Sequence, residues 1–180
     1  MPITLPVPPT ASAAPLWLRP WQPADRTALL VAHRDPLMKR WLATSLATEA
    51  EAGRWLAVQA LSWETGARFS FAVVDGDDRP LGHLALKPKT TKLKTTAEVG
   101  YWIAAAARGR GVAGRALETM TQWAFSAHAI NRLDLLHAED NHASCRVAEK
   151  CGYPLREKLP PAPPDFPGNG HRHVRLRVPR

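Results

Sequence analysis

The residues best suited to chemistry lie in one short run, Arg108-Gly109-Arg110-Gly111-Val112-Ala113-Gly114. A strand-like segment, Thr96–Ile103, leads into it, and an amphipathic segment at 113–127 follows. A glycine-bearing turn that opens a helix presents backbone N–H groups without intrahelical partners, at the end where the macrodipole is positive. Glycines let the main chain approach a phosphate closely, and arginines add charge-assisted hydrogen bonds. The run therefore reads as a cradle for a phosphate-bearing ligand, against the plainer alternative of a basic turn.

Other candidates are dispersed. Glu98 is the single acid among seven Lys or Arg between Gly82 and Arg115. On a strand it shares a face with Gly100 and Trp102, opposite Val99, Tyr101 and Ile103. A positioned carboxylate can accept a proton from a reacting group, and an isolated acid can equally form an ion pair with a nearby Lys or Arg. Ser144 falls in the first turn of a helix that Asn141 caps, where a hydroxyl commonly satisfies a free backbone donor. Cys145 and Cys151 would point in different directions from one helix, so neither a disulfide nor a metal pair is expected. The seven histidines have no metal-ligand spacing. His171 and His173 share a strand face but lack a third ligand, so no metal is expected.

The elements that must position these groups follow from pattern. At 180 residues and 45% hydrophobic, the chain suits one domain with a sizeable core. Residues 1–14 read as a flexible lead and 15–180 as the domain. Leu16–Trp21 reads as a strand, and Pro23 opens a helix to Arg34. Thr48 followed by Glu51 predicts a capping box for a helix to about Trp63, ended by Gly66. Arg68–Asp75 and Pro80–Lys87 pair as a hairpin about Asp75-Gly-Asp-Asp, and a Lys/Thr-rich loop covers 87–95. Ala113, Ala116, Leu117, Met120, Ala124 and Ala127 form a buried helical stripe. Arg132–His137 is a strand, and the helix from Asn141 closes at Gly152. Tyr153–Lys158 and His171–Val178 are the last strands, separated by a stiff loop bearing Pro160, Pro161, Pro163, Pro164 and Pro167. The predicted class is α+β, a mixed twisted sheet of about seven strands flanked by about four helices.

The net charge of +8 implies an acidic partner, whether a polyphosphate ligand, nucleic acid or an acidic protein face. The N-terminus carries no basic signal region, and no apolar run approaches the ~20 residues that span a bilayer. A cytoplasmic setting with reduced cysteines, and no membrane partner, is expected.

The order of elements, with a glycine turn after the strand carrying Glu98, resembles the GNAT fold of acetyl-CoA-dependent N-acetyltransferases. Arg108, Gly111 and Ala113 match that family's Arg/Gln-x-x-Gly-x-Gly/Ala pattern. Asn141-x-x-Ser144 and Ala148-Glu-Lys-Cys-Gly152-Tyr153 are similar to its RimJ/RimL-like branch, as are Glu98-Val-Gly-Tyr-Trp102 and Leu18-Arg-Pro-Trp21. The resemblance covers about Leu16 to Val178. It implies acetyl-CoA as donor and direct transfer to a primary amine, either a protein N-terminal α-amine, as in ribosomal-protein acetylation, or a small-molecule amine. The turn at Arg108–Gly114 would hold the diphosphate, and Trp102, Ile103 and Ala104 would offer backbone hydrogen bonds to the pantetheine arm. Asn141 would contact the cofactor amide, and Glu98 would take the ammonium proton. Many relatives protonate the departing thiolate with a tyrosine in the fourth helix. Ala148 stands at that position here, so the resemblance assigns the task to Ser144.

The resemblance also implies a homodimer, and an acceptor slot between the early helices and the Pro160–Pro167 loop. The lysines from Lys87 to Lys94 would face an acidic partner or the cofactor's 3′-phosphate. Two other functions compete: a basic RNA- or ribosome-binding module, and a relative that binds acetyl-CoA without transferring anything. The first lacks an aromatic recognition motif. Acetyl-CoA titration separates it from the others, and thiol release separates enzyme from sensor.

Overall fold

Alternating side chains in the strands sort the core into two apolar layers, one on each face of a single sheet. The computed structural model describes residues 3–90 and 95–178. Its strands are β1 (Leu5–Val7), β2 (Leu16–Pro20), β3 (Phe69–Val74), β4 (Pro80–Thr90), β5 (Thr95–Ile103), β6 (Arg132–Ala138), β7 (Leu155–Leu159) and β8 (Gly170–Leu176). They lie in the order β1-β2-β3-β4-β5-β6-β8-β7, and only the β5–β6 pair is parallel. The helices are α1 (Arg26–His33), α2 (Pro36–Trp41), α3 (Glu49–Thr65), α4 (Val112–Ala127) and α5 (His142–Lys150). The α+β class and the mixed sheet are as predicted, with eight strands and five helices among the described residues.

Local chemistry explains the helix bounds. Glu51 N–H donates to Thr48 Oγ1 at 3.2 Å while Glu51 Oε2 accepts from Thr48 N–H at 3.0 Å, so the capping box forms. Gly66 closes α3 at φ +69°. In α4, Ala116, Leu117, Met120 and Ala124 are fully buried against β-strand residues Phe71, Leu84, Val99 and Leu133. Leu29, Ala52 and Leu56, from α1 and α3, cover the opposite face with Trp21 and Ala72.

Four segments depart from the sequence reading. Leu5–Val7, expected in a flexible lead, pairs with β2, and Val7 is buried. An edge strand tolerates the prolines around it because its outer N–H groups need no ladder partner. Helix α2 has only six residues, too few for a periodic signal; Asp35 caps it and Pro36 opens it. Lys87–Thr90, expected in a loop, continues β4 and pairs with Thr95–Glu98, whereas Lys92 and Lys94 lie outside the described residues. The segment from Pro23 begins as a 3₁₀ turn (Pro23–Asp25) before α1.

One feature of the sheet positions the site. Strands β5 and β6 pair only from Thr96↔Arg132 to Val99↔Leu135, although β5 runs on to Ile103 and β6 to Ala138. The two parallel strands therefore part after Val99 and Leu135. Helix α4 starts just beyond the far end of β5, and α5 just beyond β6.

Candidate active site

A turn that must reverse from strand to helix within a few residues needs backbone freedom, and the glycines supply it. Gly109 and Gly111 adopt φ +72° and +71°, and Gly111 is the N-cap of α4. The first amide to return a hydrogen bond into the helix is that of Arg115, to Gly111 O at 3.2 Å. The amides of Val112, Ala113 and Gly114 precede it and have no intrahelical acceptor. A Cβ on Gly109 or Gly111 would meet open space, so the turn faces outward. It borders a cleft of about 670 Å³ lined also by Thr10, Ser12, Leu16, Asp75, Leu81 and Arg115. Arg115 holds the N-terminal segment as one wall of the cleft, donating to Pro8 O at 2.8 Å and Ala14 O at 2.7 Å.

The two arginines of the turn differ. Arg108 is committed: it pairs with Asp35, the cap of α2, and donates to Ile103 O at 3.0 Å. Burial alone would raise the Asp35 carboxyl, but Arg108 and the Leu37 amide hold it below its ordinary value. Arg108 thus fastens α2 to the end of β5 and is not spare charge for a ligand. Arg110 is exposed and has no ion-pair or hydrogen-bond partner among the described residues.

The antiparallel ladder decides which backbone groups face the gap between β5 and β6. Ala104 N–H donates to Leu81 O at 2.9 Å, and Trp102 pairs with His83. By alternation, the amides of Trp102 and Ala104 turn toward β4, and those of Tyr101 and Ile103 turn toward the gap. Of the three residues expected along an extended arm, Ile103 turns its amide to the gap, as Tyr101 does, while Trp102 and Ala104 turn theirs to β4. Gly82, opposite Ile103, permits this close pairing, since a Cβ there would lie 2.7 Å from both Trp102 O and Ile103 Cδ1.

Side-chain alternation then separates the two candidate catalytic residues. Glu98 and Trp102 face the α1–α3 side, where Trp102 packs with Trp21, His33 and His83. Tyr101 packs on the α4–α5 side. Both oxygens of Glu98 are occupied, Oε1 by Lys87 Nζ at 3.1 Å and Oε2 by Lys89 Nζ at 2.7 Å. Burial pushes the Glu98 carboxyl up, but the two lysines outweigh it and hold the group below its ordinary value. Of the two readings of Glu98, the ion pair is the one formed.

Ser144 is in the first turn of α5, where its N–H donates to Asn141 Oδ1 at 3.2 Å. Its hydroxyl does more than cap. Tyr101 OH donates to Ser144 Oγ at 3.2 Å, across the arms of the parted strands. Burial pushes the Tyr101 phenol up to about 12, so it is a neutral donor. Sequence reasoning missed Tyr101, because nothing in a strand pattern links it to a serine 43 positions later.

The fold also assembles a group that the sequence reading denied. His137, Cys145, His171 and His173 place one nitrogen or sulfur each within 4.8 Å of one another. The β6–β8 register sets His137 opposite His171, and α5 lays Cys145 over them. Cys145 and Cys151 are both free thiols, as expected.

Parted parallel strands beside a helix N-terminus with free amides mark the sheet of this α+β protein. The chain belongs to the GNAT acetyltransferase family, whose acetyltransferase (GNAT) domain matches residues 15–154. The structure is similar to that of a putative ribosomal-protein-serine acetyltransferase from Vibrio cholerae, at 19% identity and a TM-score of 0.81, over 96% of this chain and 97% of that one. It is similar also to RimL, a ribosomal L7/L12 α-N-protein acetyltransferase in complex with coenzyme A, at 20% identity and a TM-score of 0.78, over 95% and 97%. Mycobacterium smegmatis RimJ, in complex with a CoA-disulfide, matches at 18% identity and a TM-score of 0.78, over 98% and 86%. At these identities the likeness is one of fold. No curated protein sequence is significantly similar to this chain. Among the described residues no helix is long and apolar enough to cross a membrane.

Proposed function

We propose that the protein moves an acetyl group from acetyl-CoA to a primary amine by direct transfer, the amine being a protein N-terminus or a small molecule. The observation that carries the proposal is the outward-facing turn at Gly109–Gly114, with free amides at the start of α4 and an unpartnered Arg110 beside them. A diphosphate is the anion that such a terminus suits. The pantetheine arm then lies in the gap as a strand would, bonding the inner edge of β5 at Tyr101 and Ile103.

The chemistry divides across the sheet. A neutral amine attacks the thioester carbonyl and gives up its proton to solvent; the C–N bond forms, the C–S bond breaks, and the thiolate takes a proton. Ser144 supplies that proton from its hydroxyl and regains one from solvent, which has taken the amine's, while Tyr101 behind it stabilises the serine oxygen with its own hydrogen bond. A positioned acid of this kind contributes roughly 10²–10⁴ in rate. Glu98, occupied by two lysines, is assigned to holding β4 on β5 rather than to taking the amine's proton. Ribosomal-protein N-termini lead the acceptor candidates, because two of the similar structures are named as ribosomal-protein acetyltransferases and one of these, RimL, as an α-N one.

The test is thiol release from acetyl-CoA over a panel of ribosomal-protein N-terminal peptides and small amines. Release with at least one member supports the proposal. Tight acetyl-CoA binding without release from any member would make the chain a sensor, and binding of RNA without binding of acetyl-CoA would make it the basic module.

A further inference from the structure

The side chains beneath α5 form a second constellation, one that acetyl transfer does not use. In the β6–β8 ladder His137 stands opposite His171 and Leu135 opposite His173, so three imidazoles crowd one end of the two strands. Their rings are in contact, with centroids 5.4 Å apart for His137 and His171 and 5.1 Å for His137 and His173. Helix α5 then brings Cys145 Sγ to 3.6 Å from His173 Nε2. A tetrahedral ion with about 2.3 Å to a thiolate and about 2.05 Å to an imidazole has an S···N edge of roughly 3.5–3.6 Å.

The hydrogen bonds around the cluster orient it for a ligand. His137 Nδ1 lies 2.7 Å from Ala138 O, and His173 Nδ1 lies 2.8 Å from Tyr153 O. A carbonyl only accepts, so both rings carry their hydrogen on Nδ1 and turn an Nε2 lone pair inward. Metal-ligating histidines are held by the same outer bond. His137 Nε2 and both nitrogens of His171 are buried with no hydrogen-bond partner among the described residues. His137 is nearly fully buried, which is costly for an Nε2 with nothing to bond, and the Nε2 of the fully buried His173 has only Cys145 Sγ beside it. Glu139 Oε1, 3.6 Å from His171 Nε2, supplies a carboxylate at the rim.

We propose that His137, Cys145, His171 and His173 form a tetrahedral site for a zinc-class transition metal. Three nitrogens and one sulfur suit zinc and exclude magnesium and calcium, which require oxygen ligands. Four protein ligands close the coordination, so the ion is structural. On loading, Cys145 releases its thiol proton to solvent and binds as thiolate, and the imidazoles bind neutral. The ion ties β6, α5 and β8 together one residue from Ser144 and so fixes the first turn of α5. None of this rests on acetyl transfer.

The test uses the full chain, stripped with a chelator and titrated with zinc against a chromophoric competitor, then with cobalt(II) as a spectroscopic probe. Expected are one tightly bound equivalent, visible bands of tetrahedral cobalt, a thiolate-to-cobalt charge-transfer band, and a higher unfolding temperature with zinc. Cys145→Ser should abolish the charge-transfer band, and His171→Asn should weaken zinc binding at least 100-fold. His171→Asn provides the check if the serine variant folds poorly, with circular dichroism reporting folding for both. The proposal is overturned if the wild-type chain binds no stoichiometric metal, if cobalt binds without a thiolate band, or if both folded variants bind zinc as the wild type does.

Discussion

At the scale of single residues, the departing thiolate is the group that most needs help. In the proposed reaction Ala148 offers no proton donor, and Tyr101 OH donates to Ser144 Oγ from the other arm of the sheet. With chemistry rate-limiting, Ser144→Ala should lower kcat by about 10²-fold and Tyr101→Phe by roughly tenfold, with little change in acetyl-CoA affinity. Steady-state kinetics with a fixed acceptor measures both, and unchanged turnover in Ser144→Ala removes the serine from the mechanism. Glu98 should behave differently. A carboxylate held low, with both oxygens on lysines, is a weak proton acceptor. Turnover of Glu98→Gln should stay within about threefold of wild type, and a loss near 100-fold would restore it as the general base. Sequence alone placed Glu98 and Ser144 correctly on their elements. It could not assign their partners, because those of Glu98 depend on the β4–β5 register and that of Ser144 on a strand-to-helix contact 43 positions apart in sequence.

Among the elements, two glycines test two different demands. Gly111 holds φ +71° in open space, so Gly111→Ala meets no neighbour and costs about 1–2 kcal/mol of local strain. That strain is relieved by shifting the turn, so acetyl-CoA affinity should fall at least tenfold while Tm drops only roughly 2–8 °C. Gly82→Ala does the converse. Its methyl would press on Trp102 O and the Ile103 side chain at 2.7 Å, prising β4 from β5 at a cost of about 1–3 kcal/mol and lowering Tm before affinity. Calorimetry and thermal melts on the pair separate the effects, and an identical profile for both variants would contradict the assignment. The α3 capping box, the α4 stripe except for the exposed Ala127, and the Asn141 cap were all legible, since each is written within one element. Helix α2 and strand β1 were not: six and three residues leave no period to read. The histidine–cysteine cluster was illegible for another reason, since β8 returns between β6 and β7 and brings together residues that no linear spacing connects.

For the whole molecule, buried histidines set the response to pH. His83 is fully buried and accepts a hydrogen bond from Trp21 Nε1 at 2.9 Å on Nδ1. Burial, with help from the charge of Arg68, pushes its imidazole far below the ordinary 6.5, and burial alone lowers His33. Below 6.5 the unfolded chain binds protons that the folded chain refuses, so stability is complete above that value and is lost as pH falls beneath it. Thermal melts should therefore give a level Tm above about pH 7.5 and a steady decline toward pH 5, before the carboxylates protonate. A Tm that stays level across that interval would contradict the buried neutral rings.

All of these scales meet at the start of α4, where the proposed function seats a diphosphate on main-chain amides. Titration calorimetry with acetyl-CoA and with S-acetyl-pantetheine, which lacks the nucleotide and its phosphates, tests this directly. The account predicts binding of acetyl-CoA at about micromolar strength and binding of acetyl-pantetheine at least 100-fold weaker. Equal affinity for the two, or no binding of either, would contradict it.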